Sequence, residues 1–397
     1  MPQAPFSPTI RATVAPPVME ARRWLAAATF PAGRPLLNLS QAAPVDPPPA
    51  ILCAEMARAV IEEADSHLYG PVLGLPALRQ EIADRWSPSY GGTINRQDVA
   101  ITAGCNQAFC AALATAVAPG DAVILPTPWY FNHKMWLDTN GVETRALRCG
   151  PGMLPDLDQA EALIDSRVKA IVLVTPNNPT GAEYPPELIR DFATLARRHG
   201  LLLILDETYR DFHSSPNAPH HLFADPLWRE NLVHLYSFSK VFRLTGHRVG
   251  AMIASPERLA EAEKFLDSIA ICAPQIGQKA ALFGLRNLQD WVAAERTEIL
   301  HRRALVEAGF SGLNDWQLLG CGAYFAYVRH PFDLASDVLA QRLVTEQSLL
   351  TLPGTMFGIT RPNGGDGSAE QQLRIAYANA DASGLSTLFE RLRGFRP

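Results

Sequence analysis

The sequence predicts an α/β protein: a three-layer α/β/α unit on a mostly parallel seven-stranded sheet, with a smaller α+β unit beside it. Three observations carry this expectation. Short runs rich in Val, Ile and Leu recur at 98–102, 122–126, 142–148, 168–174, 201–206, 232–236 and 248–254. Most are separated by helix-length stretches such as 105–117 and 186–199. The runs do not alternate apolar with polar, which is the pattern of strands covered on both faces by helices.

Taken in order, residues 1–50 are proline-rich and weakly patterned, ending in Pro44, Pro47, Pro48 and Pro49, and are expected to form an extended arm. Helical periodicity begins at 51–64 and 76–86, and the strand–helix alternation follows. Beyond 255 the chain is expected to be mainly helical to 310. Strand-like pieces at 323–328, 348–352 and 372–378 and a last helix at 382–393 then complete the smaller unit. The expected division is 1–50 as arm and part of the small unit, 51–285 as the large unit, and 286–397 as the small one.

Composition narrows the function. Hydrophobic residues at 47% and charged residues at 19% fit a globular chain rather than a disordered one. The net charge of -5, with basic residues scattered, offers no footprint for nucleic acid. Met1 to Thr13 lacks a cationic start followed by an apolar stretch, and no apolar run approaches the ~20 residues of a membrane span. Six cysteines without C-x-x-C spacing read as free thiols of a reducing cytoplasm. His220 and His221 are adjacent, poor spacing for two ligands from one element, with no Cys or carboxylate cluster beside them in sequence, so no metal is expected.

In a doubly wound sheet, ligands meet the carboxyl ends of the strands. The first such end reads Thr102-Ala103-Gly104-Cys105-Asn106, a glycine turn opening a helix, where free N–H groups suit an anion. The next carries Pro128-Trp129-Tyr130-Phe131, aromatics able to stack on a flat ring or to pack in the core. Asn178 follows, between prolines 176 and 179, as a rigid hydrogen-bond donor. Asp206 ends a fully apolar strand and needs a cation, with Tyr209 three positions on. Last come Ser237 and Lys240, with Arg248 eight residues later. Burial and cationic neighbours lower a lysine's pKa and suit it to Schiff-base chemistry. Each has an ordinary structural explanation alone. Together they supply an anion cradle, a stacking partner, an amide, an acid and an amine, the set that pyridoxal phosphate requires.

With these motifs, N-P-T-G at 178–181, D-E-T-Y at 206–209 and S-F-S-K-x7-R at 237–248, the chain resembles the class I/II aminotransferases, the fold-type-I pyridoxal-phosphate enzymes. The resemblance runs from about Leu37 to about Asn379. It implies that Lys240 bonds the aldehyde of pyridoxal 5'-phosphate and that Asp206 pairs with the pyridine nitrogen. Tyr209 and Asn178 would meet the phenolic oxygen. Ser237, Arg248 and the turn residues Gly104, Cys105 and Asn106 would hold the phosphate. Tyr130 falls at the ring-stacking position, with Trp129 the alternative, and His133 resembles the histidine that supports the pyridine-binding aspartate. Tyr69 looks like the tyrosine that reaches the neighbouring subunit's phosphate, implying a homodimer with shared sites. Arg374 matches the arginine that clamps the substrate carboxylate.

One departure stands out: Ala42 occupies the position where the family commonly has glycine in the first substrate loop, and no second arginine for a distal carboxylate is evident. The implied activity is transfer of an amino group between an L-amino acid and a 2-oxo acid. A lyase or synthase on the same fold is the alternative.

Overall fold

The computed structural model describes residues 4–396. The expected extended arm is interrupted by helices in its first half, while residues 39–49 with the proline cluster carry no helix. The two helices, α1 (Pro8–Ala12) and α2 (Pro17–Ala26), come before the short strand β1 (Leu37–Asn38). The reason lies in the prolines themselves. Pro8 and Pro17 sit in first helical turns, where a missing N–H costs nothing.

The chain then runs through α3 (Ala50–Glu62), α4 (Pro76–Ser89), β2 (Val99–Thr102), α5 (Cys105–Ala114), β3 (Ala122–Thr127), α6 (Phe131–Thr139), β4 (Glu143–Arg148), α7 (Leu157–Ala162), β5 (Val168–Val174), α8 (Pro186–Arg198), β6 (Leu202–Asp206), β7 (Leu232–Ser237), α9 (Phe238–Val241) and β8 (Gly250–Ile253). Strands β2 to β8 form one sheet in the order β2-β8-β7-β6-β5-β3-β4. All its pairings are parallel except those of β8, which runs antiparallel to β2 and β7. The link from β7 to β8 holds only two short turns, α9 and a 3-10 turn at Thr245–His247, with no helix long enough to carry the chain back for a parallel return. Helices bury one apolar layer against each face. Leu203, Leu205 and Tyr236 point into one layer, Ile204, Val233 and Leu235 into the other.

Helices α10 (Pro256–Ala270), α11 (Gln275–Asn287) and α12 (Gln289–Ser311) follow, then β9 (Gln317–Gly322), β10 (Phe325–Arg329), α13 (Ser336–Gln347), β11 (Leu349–Leu350), β12 (Leu352–Pro353), β13 (Gln372–Ala376) and α14 (Ala382–Gly394). The second sheet is antiparallel, in the order β12-β13-β10-β9, and β1 pairs in parallel with β11. Among the described residues no helix is long and apolar enough to cross a membrane.

Candidate active site

The carboxyl ends of β5, β6 and β7 open into a cavity of about 460 Å³. Ala42, Cys105, Asn106, Tyr130, Asn178, Asp206, Tyr209, Ser237, Lys240, Arg248 and Arg374 all line it. Residues scattered over more than 300 positions of sequence thus meet in one place.

One end is built for an anion. Gly104, at φ +89, precedes α5, and a Cβ there would collide with the Arg248 guanidinium. Glycine is therefore required both by the backbone angle and by the close approach of the cation. The first N–H groups of α5, at Cys105 and Asn106, have no intrahelical acceptor and point out of the helix start. Arg248 is itself held by a bond from Nη1 to the Thr245 carbonyl at 3.0 Å. Ser237 caps α9 by accepting the Ser239 N–H at 3.2 Å, which leaves its hydroxyl hydrogen free to donate.

Across the cavity, Asp206 is 4% exposed. Burial pushes its carboxyl up, but His133 and Thr208 outweigh it and hold the pKa below the ordinary value. The contacts are His133 Nε2 at 3.4 Å and the Thr208 N–H at 2.9 Å. His133 is fixed in turn by stacking on Phe109 at 3.8 Å. Asp206 is thus an anion ready to meet a buried protonated nitrogen. Tyr130, whose hydroxyl reaches Asn106 Oδ1 at 3.4 Å, forms the aromatic wall.

Lys240 lies 5.8 Å from the Tyr209 ring centroid. Burial, and the charges of Arg374 and Arg248, lower its pKa to about 8. An amine lowered this far has a usable neutral fraction near neutral pH, which carbonyl chemistry needs. Arg374 is buried, its guanidinium 5.1 Å from the Phe325 ring and 4.8 Å from that of Phe357. Nη1 donates to Asn178 Oδ1 at 2.9 Å and Nη2 to the Ser40 carbonyl, while Nε has no partner. Because Asn178 gives its oxygen to Arg374, its amide NH2 faces the cavity as a donor.

Three expected residues stand off the lining. Gly104 lies under Arg248 and His133 behind Asp206, each acting through a neighbour. Tyr69 is 79% exposed and lines none of this cavity. Of the two aromatic candidates, Trp129 packs into the core and Tyr130 faces the cavity. Sequence reasoning missed Thr208, whose contribution is a backbone N–H, and Arg22 of α2, which lines the cavity mouth with Pro16 and Val18. Reading 1–50 as an arm hid Arg22, the one lining cation besides Lys240, Arg248 and Arg374 among the described residues.

The family model "Aminotransferase class I and II" matches residues 34–392. The chain is 30% identical over 303 residues to the aromatic aminotransferase ISS1 of Arabidopsis thaliana, covering 73% of this chain and 74% of that one. It is 29% identical over 327 residues to the putative aminotransferase YugH of Bacillus subtilis (strain 168), covering 79% and 80%. Its fold is that of the aspartate aminotransferase from Thermus thermophilus solved with maleate, at TM-score 0.87, 24% identity and 98% and 99% coverage. The chain belongs to the class I and II aminotransferase family, and it is an enzyme that transfers amino groups.

Proposed function

We propose that this cavity binds pyridoxal 5'-phosphate and moves an amino group between an L-amino acid and a 2-oxo acid. The observation that carries the reading is the convergence of Lys240, Asp206 and Arg374 on one cavity with an anion cradle at its far end. The residues fit the group: Gly104 makes room for Arg248 at the phosphate end, and an ionised Asp206 suits a pyridinium. Bound there, the cofactor supplies an electron-withdrawing ring next to the substrate Cα.

The chain's own residues do the rest. Arg374, with Nε unpaired, holds the substrate carboxylate and so sets the direction of the Cα–H bond. Lys240 Nζ, its pKa lowered to about 8, takes the Cα proton in its neutral form. Asn178 and Tyr209 would hold the phenolic oxygen of the cofactor, and Ser237, Arg248, Cys105 and Asn106 its phosphate. Val18, Ala42, Ala43 and Phe131 make part of the remaining wall apolar and suit an apolar side chain, while Arg22 in the same wall offers a cation to a side-chain carboxylate.

The pairing of two copies has support of its own. The Gly70 N–H meets Cys272 Sγ at 3.4 Å, so Leu68 and Tyr69 lie close to Ile269 and Ile271, all four exposed. A second copy would cover this apolar patch and take Tyr69 into its own site. The six cysteines are unpaired, in keeping with a reducing compartment such as the cytoplasm.

The test is to mix the loaded enzyme with an amino acid and a 2-oxo acid. Exchange into a new amino acid and a new 2-oxo acid is expected. Release of ammonia instead would make the enzyme a lyase on the same fold.

A further inference from the structure

The turn that carries Asp206 has a second side, and none of the roles above uses it. Asp206, Thr208 and Tyr209 line the cavity, whereas Glu207 enters the opposite apolar layer and is 0% exposed. Arg210 follows it there, its guanidinium 4.3 Å from the Trp86 ring and 4.8 Å from that of Tyr90. Two donors from distant segments bond one oxygen of the Glu207 carboxylate, and a second imidazole faces the other oxygen without bonding it. His234 Nε2, on β7, lies 2.7 Å from Oε2, and the hydroxyl of Tyr90, just after α4, reaches the same oxygen. His220 Nε2 faces Oε1 at 3.6 Å. All four side chains are fully buried. The fold thus gives His220 the carboxylate neighbour that its sequence surroundings lack.

Glu207, His220 and His234 present ligand atoms within 4.8 Å of one another, close enough to hold a metal. Two observations favour protons instead. The Leu222 N–H donates to His220 Nδ1 at 3.1 Å, so the neutral ring carries its hydrogen on Nε2, the atom a metal would need bare. The 2.7 Å between His234 and Glu207 is a hydrogen-bond length, whereas two ligands at ~2.0–2.1 Å from a tetrahedral zinc stand roughly 3.3 Å apart. Burial pushes the Glu207 carboxyl up, but His220 and His234 outweigh it and keep it ionised. Arg210, whose cation Glu207 helps to stabilise, supplies the balancing charge.

We propose that Glu207 is a positioning residue whose carboxylate, held by Tyr90 and His234 with His220 alongside, pins the turn that presents Asp206 and Tyr209 to the cofactor. The coupling is short. The Arg210 N–H closes the turn on the Glu207 carbonyl at 3.1 Å, and the Thr208 N–H in the middle of the turn orients Asp206 Oδ1. Movement of Glu207 therefore shifts the donor that aims the pyridine-binding acid. This rests on the cavity being a pyridoxal-phosphate site.

The experiment compares wild type, Glu207→Gln and Tyr90→Phe. Cofactor affinity is read by tryptophan fluorescence on adding pyridoxal phosphate to the apoprotein. The pH midpoint of the bound cofactor's absorbance and the thermal unfolding of each apoprotein are measured alongside. Glu207→Gln is expected to weaken binding roughly tenfold and to displace the midpoint, and Tyr90→Phe to do both more mildly, the loss expected for one hydrogen bond to a charge. If Glu207→Gln does not fold, Tyr90→Phe carries the test alone. Variants that fold, bind like wild type and keep its midpoint overturn the proposal and leave the cluster as core. Wild type that binds no pyridoxal phosphate overturns the reading of the cavity instead. A stoichiometric transition metal in purified wild type, absent from Glu207→Gln, would overturn the proton assignment.

Discussion

Replacing Arg374 with lysine keeps a cation at the substrate end and removes its shape. In the native site Nη1 holds Asn178 at 2.9 Å and Nη2 holds the Ser40 carbonyl, with Nε left for a ligand. An ammonium offers its donors from a single point, so it cannot keep both partners and also present two parallel bonds to a carboxylate. The site is buried, so water does not replace the missing donors. Losing one to two charge-assisted bonds costs about 2–4 kcal/mol, or roughly 30- to 1,000-fold in kcat/KM for the amino donor. Steady-state rates over a panel of amino donors, with cofactor affinity measured in parallel, check this. Affinity for pyridoxal phosphate is expected to move far less than kcat/KM, because Arg374 reaches the cofactor only through Asn178. A variant within fivefold of wild type on every donor would refute the assignment of Arg374 to the carboxylate.

Other outcomes follow from the same geometry. Lys240 titrates at about 8 in the folded chain against an ordinary 10.5, so the unfolded chain binds more protons between these values. Apoprotein stability relative to Lys240→Met is therefore expected to rise with pH across that window, and urea midpoints that differ equally at both its ends would contradict the shift. Gly104→Ala meets a backbone at φ +89, a cost of about 1–2 kcal/mol, and displaces Arg248. Equilibrium dialysis should show affinity for pyridoxal phosphate at least about tenfold weaker. His133→Phe keeps the stack on Phe109 but removes a bond to Asp206, and fluorescence titration should find the cofactor held roughly tenfold less tightly. Arg22→Met should lower kcat/KM for dicarboxylic amino donors and leave apolar donors unchanged. An equal fall for both would remove Arg22 from substrate selection. The Glu207 carboxyl is held well below its ordinary 4.5, so the stability it lends is present above that pH and is lost as pH falls below it. Acid unfolding of Glu207→Gln is expected to be less steep than that of wild type.

The central strands were legible because fully buried parallel strands advertise themselves as unbroken apolar runs. Leu202 to Leu205 and Val168 to Val174 lie within a residue of their expected bounds. The polar residue closing each run was legible for the same reason: Asp206 and Lys240 stand out against an apolar approach. Strand β9 was missed, since Gln317–Gly322 carries two glycines and lies half-exposed. The N-terminal helices were not legible because proline suits extended chain as well as a helix start, and Pro8 and Pro17 start helices. What sequence cannot show is contact between distant residues of ordinary type. Thr208 acts through its backbone, Arg22 through a helix not foreseen, and His220 and His234 through a glutamate that serves the opposite face from its neighbour Asp206.

The central claim is that Lys240 is the amine that holds the cofactor. Loading the apoprotein with pyridoxal phosphate, reducing it with borohydride and mapping the modified peptide by mass spectrometry tests it most directly. One cofactor per chain on Lys240, and none in Lys240→Ala, is the expected result. A reduced adduct on another lysine, or undiminished labelling of Lys240→Ala, would contradict it.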